Sequence, residues 1–203
     1  MQYDNPTPEL DVAPMKIICW NIKKKKEFYD YLADLCQAEL PDILVLSEIE
    51  LNPALVLKKL NASSTRYYFI PTKATNQHIY ALIPDRFFTL LESSFRYAVF
   101  KVSPPLMEPF LLVSVHLPDK KSWLESGQKY ESIAVASSIA RIEDEQKIAN
   151  TLVMGDFNQN PFEEGMVSAM GFHATGHKEV ATAKPAKCWD AIIVSSLTRR
   201  GSS

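Results

Sequence analysis

Cysteine is scarce in this sequence, three in 203 residues, and the three stand in no spacing that would hold a metal or staple a small fold. Cys19, Cys36 and Cys188 are far apart and set among apolar or aromatic neighbours. Zinc-ribbon and disulfide-framework classes are therefore excluded, and the expectation is reduced core thiols in a cytoplasmic protein. Charge of one sign is also lacking. With a formal net charge of −2, nothing in the overall balance announces a nucleic-acid binder of the basic-stripe kind or a polybasic membrane anchor, so any anionic substrate must be attracted locally. No run approaches the roughly 20 apolar residues of a membrane helix, which predicts no stable membrane association. The opening MQYDNPTPELDVAP has no basic start followed by an apolar stretch, so it is read as a flexible tail over residues 1–14 rather than a secretory signal. Internal repeats, low-complexity tracts and linker-like segments are absent from the sequence. With 46% apolar residues the remainder can bury a real core, and a single domain is expected over 15–203.

Periodicity supplies the elements. KIICW at 16–20 is β-branched and aromatic and ends at Asn21, as a buried strand would. Phe28, Tyr31, Leu32, Leu35 and Cys36 follow at helical spacing, and Ile43 to Leu46 form a short continuous apolar run of the kind covered on both faces. A helix is expected at 53–60, then short strands near 66–70, 78–83, 87–91, 96–102 and 110–117. Two adjacent stripes, Ile133/Ala136/Ala140 and Val135/Ile139/Ile142, predict a helix over 129–149 with a broad apolar face. A strand at Thr151–Met154 is followed by a short helix beyond Pro161, lined by Phe162, Met166, Ala169 and Met170, and by a last strand at Ala191–Val194. Several strand connections are too short for a crossover helix, so the fold class is α/β with mixed sheets.

Polar residues stand at the carboxyl ends of the strongest strands: Asn21 after IICW, Glu48 after ILVLS, His116 after LLVSV, and Asp156 with Asn158 after LVMG. Strand ends are where α/β sheets gather ligands, because rigid strands aim side chains into one crevice. Phosphoester hydrolysis needs a hard cation, a base for water and donors that hold the phosphate. Glu48 with an amide oxygen nearby suits an oxygen-bound magnesium ion. Asp156 and Asn158, two apart on a segment read as extended, would project to the same side.

These segments together resemble the endonuclease/exonuclease/phosphatase superfamily, of the deoxyribonuclease I-like kind. WNI at 20–22, the LVLSE run ending at Glu48, VHL at 115–117, GDFNQNP at 155–161 and WDAIIVS at 189–195 fall in the family's order. The resemblance implies a four-layer sandwich of two mixed β-sheets flanked by helices, and a Mg²⁺-dependent (or Mn²⁺-dependent) phosphodiesterase or nuclease acting on nucleic acid. Phospholipid head groups and small phosphoesters are the alternative substrates. It further implies that Glu48 and Asn21 serve the metal, that Asn21 also bonds in the phosphate shell, and that Asp156 orients or deprotonates water. Asn158 would hold the scissile phosphate, His116 assist the leaving group, and Asp190 support a later histidine. The family's terminal Ser-Asp-His segment has no counterpart in SSLTRRGSS, so the domain is expected to be C-terminally incomplete, with the last family strand or strands missing. A monomer is expected, with association through an exposed sheet edge as the alternative.

Each of these residues also has an ordinary structural reading. Asn21 and Asn158 suit turns, Asp156 suits a turn or helix cap, and Glu48 suits a solvated strand end. His78, His173 and His177 match no motif and default to structural or surface roles. Lys23 to Lys26 read as a solvated face, although lysines at a helix start oppose its dipole and hint at an external anion. Trp20, Trp123 and Trp189 read as packing residues. The rival to an enzyme is a catalytically impaired remnant or binding module of the same fold.

Overall fold

The computed structural model describes residues 15–74, 76–119, 125–160, 163–167 and the backbone of 191–196. The elements run β1 (Ile17–Asn21), α1 (Phe28–Glu39), β2 (Ile43–Ser47), α2 (Pro53–Leu60), β3 (Tyr68–Ile70), β4 (Gln77–Ala81) and β5 (Phe88–Ser93). They continue β6 (Tyr97–Val102), β7 (Phe110–His116), α3 (Glu125–Gln146), β8 (Asn150–Asp156), α4 (Glu164–Val167) and β9 (Ala191–Ser196). One sheet has the order β1-β2-β4-β3 and the other β5-β6-β7-β8-β9. Both are mixed. β1/β2 and β7/β8 are the parallel pairs, each joined through a helix (α1 and α3), and the remaining neighbours are antiparallel. Short links can join only antiparallel strands, and a parallel pair needs a crossover.

Alternation of side chains along the strands divides the interior into three apolar layers. Leu44 and Leu46 of β2 face α1 and α2, where they meet Leu32, Cys36, Val56 and Leu60. Ile43 and Val45 face the second sheet and meet Phe100, Leu112 and Met154. Leu111, Val113 and Val115 of β7 look outward onto Val135, Ile139 and Ile142 of α3. The result is a helix–sheet–sheet–helix sandwich, as the sequence predicts. All five β2 residues are buried because both of its faces are covered. Of the two stripes on α3, only Val135/Ile139/Ile142 is buried; the half-buried Ile133/Ala136/Ala140 stripe forms its shoulder.

Local chemistry explains the boundaries. Asn52 caps α2 by accepting the Ala54 N–H at 2.9 Å, with Pro53 at the first helical position, where its missing N–H costs nothing. α1 ends at Leu40 in the left-handed conformation, φ 46°, its N–H returned to Cys36 O. Cys19 and Cys36 form no disulfide among the described residues, and burial pushes the Cys36 thiol up to about 11. Among the described residues, no helix is long and apolar enough to cross a membrane. Cys188, His173, His177, Trp123, Trp189, Asp190 and most of the helix expected beyond Pro161 lie outside the described residues.

Candidate active site

The carboxyl ends of both parallel pairs point the same way and meet at one end of the sandwich. β1 delivers Asn21, the residue after β2 is Glu48, and β7 and β8 end in register at His116 and Asp156. One ligand atom from each of Glu48, His116 and Asp156 lies within 4.8 Å of the others. Asn21 ties the halves together: its Nδ2 donates to Asp156 Oδ2 at 2.7 Å and to Glu48 Oε1 at 2.9 Å. Asn21 is 5% and Asp156 8% exposed, so this is a built cluster and not a chance gathering of surface acids.

Tight turns hold the four residues. Asp156 Oδ1 accepts the Asn158 N–H at 3.0 Å, and Asn158 Nδ2 donates to Leu117 O at 2.9 Å. Leu117 N–H in turn donates to Asp156 O at 2.8 Å, which laces the loop after β7 to the loop after β8. Gly155 makes this possible. At its φ of +136° a Cβ would stand 2.0 Å from Val115 O, so no other residue fits where the two strands close up. Phe157 turns into the core under α3, and Gln159 pins the loop from the other side through Nε2 to Gln128 O at 3.1 Å and Ser132 Oγ at 2.6 Å.

One expectation is corrected by this geometry. The Asp156–Asn158 segment is a turn and not extended: Asn158 has φ 50°, and its amide is engaged by Leu117, because β8 ends at Asp156 and Phe157 is drawn into the core. Asn21 Oδ1 accepts the Lys23 N–H at 2.8 Å. That bond fixes the amide so that its N–H₂ faces the carboxylates, and Asn21 acts there as a donor. Asp190 lies outside the described residues.

Several contributors carry no sequence motif. Arg96 O accepts the His116 N–H at 2.7 Å, which fixes the end of β7, while the Arg96 guanidinium lies 4.8 Å over the Phe95 ring. Ser47, Gln77 and Ser114 are at most 2% exposed and share the inter-sheet faces of their strands with the site residues. Ser47 Oγ, Ser114 Oγ and both polar atoms of the Gln77 side chain have no hydrogen-bond partner among the described residues, so the interior changes from apolar to polar toward the site. Alternation alone would have flagged Ser47 and Ser114 as polar interruptions of apolar runs. Gln159 lies within the GDFNQNP run, although nothing in that run showed its contacts, and Arg96 gave no such signal.

The donor set bears on a metal ion. Two carboxylate oxygens held beside each other are hard ligands of the kind magnesium and manganese accept, and the imidazole is better suited to hydrogen bonding than to magnesium. The Glu48, His116 and Asp156 cluster could hold a divalent cation.

A sandwich with acid, amide and imidazole groups gathered at the ends of two parallel strand pairs defines the deoxyribonuclease I-like class. The chain belongs to the Endonuclease/Exonuclease/phosphatase family, whose model matches residues 18–173. No curated protein matches the sequence. Solved structures of similar fold include a humanised Danio rerio TDP2, 19% identical with a TM-score of 0.53, the match covering 76% of this chain and 66% of that one. The catalytic domain of human Nocturnin with bound sulfate is 18% identical with a TM-score of 0.55, over 77% of this chain and 70% of that one. An endonuclease/exonuclease/phosphatase from Beutenbergia cavernae is 16% identical with a TM-score of 0.53, over 77% and 53% respectively. The chain thus spans about two thirds or less of the length of the TDP2 and Beutenbergia structures it resembles.

Proposed function

We propose that this chain is a divalent-metal-dependent phosphodiesterase of the nuclease type, cleaving phosphodiester bonds of nucleic acid. The observation that carries the reading is the convergence of Glu48, His116 and Asp156 within 4.8 Å, with Asn21 bonded to both carboxylates. Membership of a family named for endonucleases, exonucleases and phosphatases supports phosphoester hydrolysis, and a Danio rerio TDP2 of the same fold has been solved with a single-strand DNA product. Glu48, with Asn21 beside it, would hold the ion, Mg²⁺ or Mn²⁺, which when bound would neutralise charge on the phosphate oxygens.

The protein's own groups do the rest. Asp156 accepts the proton of the attacking water as the new P–O bond forms, and Asn21 keeps its carboxylate aimed by donating to Oδ2. His116, whose backbone N–H donates to Arg96 O at 2.7 Å, gives a proton from its imidazole to the leaving oxygen as the old P–O bond breaks. Asn158 positions the phosphate from the turn that Asp156 Oδ1 closes.

The test is hydrolysis of bis(p-nitrophenyl) phosphate and of a single-stranded oligonucleotide with Mg²⁺ or Mn²⁺. Asp156→Asn should lose ~10²–10⁴-fold in rate, and Glu48→Gln should weaken metal binding in a calorimetric titration. Full turnover by Asp156→Asn would exclude the mechanism. Metal binding without turnover in the parent would point to a binding module of the same fold.

A further inference from the structure

The loop between β1 and α1 has two properties that the chemistry above does not use. Lys23 and Lys24 are consecutive residues with φ of 52° and 57°, a left-handed conformation that side chains with a Cβ enter at a steric cost and that asparagine or glycine enters more readily. They are also lysines ahead of the N-terminus of α1, where positive charge opposes the helix dipole. Neither property helps the fold. Both sit in a turn tied to the site: Lys23 N–H donates to Asn21 Oδ1 at 2.8 Å, and Lys24 N–H donates to Glu48 O at 2.9 Å, with Glu48 itself left-handed at φ 51°. The two side chains are exposed, and Lys24 Nζ rests 2.8 Å from Glu50 Oε1, close enough to Glu48 to feel its charge.

We infer that the Lys23–Lys24 turn is an anion-binding lip of the site, whose ammonium groups take the backbone phosphate next to the scissile one in a single-stranded polynucleotide. Glu50 holds Lys24 until that phosphate displaces it. The inference rests on the phosphodiesterase reading and deepens it to a substrate class, because a simple phosphomonoester has no second anion for the lip to grip. Strain and unfavourable charge are then retained at one turn because a ligand relieves the charge and the turn aims the lysines.

The experiment uses the full chain carrying Asp156→Asn, with Mg²⁺ present, and follows the fluorescence anisotropy of a labelled single-stranded oligonucleotide across a salt series. Lys23→Gln and Lys24→Gln should each weaken binding by about three- to tenfold at low salt and make the slope of log K against log salt shallower by about 0.7. Lys24→Arg should keep the affinity. Glu50→Gln should tighten binding, an effect of opposite sign that a structural ion pair would not produce. A melting midpoint at or above that of the parent separates lost contacts from unfolding. Unchanged affinity and salt slope in the double glutamine variant would overturn the inference, as would weaker binding in Glu50→Gln. Turnover of bis(p-nitrophenyl) phosphate by the Asp156-intact chain reads the catalytic proposal separately, so failure of one is not mistaken for failure of the other.

Discussion

The two parallel strand pairs, β1/β2 and β7/β8, are built alike and end differently. Each pair is crossed by a helix, and each sends two polar groups to the same end of the sandwich. After β7/β8 the backbone turns through residues suited to it: Gly155 at φ +136° and Asn158 at φ 50°. After β1/β2 it turns through Lys23, Lys24 and Glu48, all left-handed and none of them glycine or asparagine. One end is relaxed and geometrically exacting; the other carries strain in charged residues. Backbone strain concentrates where function over-determines the conformation, so the β1/β2 end is where ligand contacts are to be sought.

The comparison can be broken most severely at Gly155. Gly155→Ala places a Cβ against Val115 O and should destabilise by about 3 kcal/mol or more, so that the chain melts far below the parent or fails to fold. A near-parental denaturation midpoint would mean that the β7/β8 closure is looser than described. Next comes the strut between the two ends. Asn21→Asp replaces the donor shared by two carboxylates with a third acid, and should cost about 2 kcal/mol in chelator and recover part of it with Mg²⁺. Melting curves with and without metal check it, and a metal-independent loss would remove the cation from the explanation.

A pH series separates the halves differently. Burial pushes His78, packed on β4 against Phe69 and Tyr80, down to about 4. In the unfolded chain a histidine titrates near ~6.5, so the unfolded state binds the extra proton between those values. Its contribution is full above the unfolded value and is lost as pH falls toward 4, which should lower the midpoint by several degrees between neutral pH and about 5. His78→Gln should fall less steeply; an identical profile would assign the acid sensitivity elsewhere. The smallest effect is a gain. Lys24→Gly relieves a left-handed side chain and should stabilise by about 0.5 kcal/mol, the glycine entropy cost offsetting part of the relief. A loss in chemical denaturation would show that Lys24 pays its way through the Glu50 contact.

The sequence by itself determined the elements and the polar residues at the strand ends. Apolar periods of two and 3.6 are local properties, and they located β1, α1, β2, α2, β7 and β8 to within a residue or two. The strand-end residues Glu48, His116 and Asp156 could be picked out because each interrupts an apolar run at its carboxyl end. Only the tertiary structure decided that these ends meet, since Asn21 and Asp156 are 135 residues apart and join through the packing of one sheet on the other. It also decided which way the Asn21 amide faces, because Lys23 N–H and two carboxylates compete for its two ends. Likewise it turned Asn158 toward Leu117 where alternation had read an extended segment, for burial of Phe157 under α3 outweighs continuation of the strand. The roles of Gln159, which stands within the GDFNQNP run, and of Arg96 could not be read from the sequence for the same physical reason: they lie in contacts across the fold, with Gln128 and Ser132 for the one and with the His116 backbone for the other.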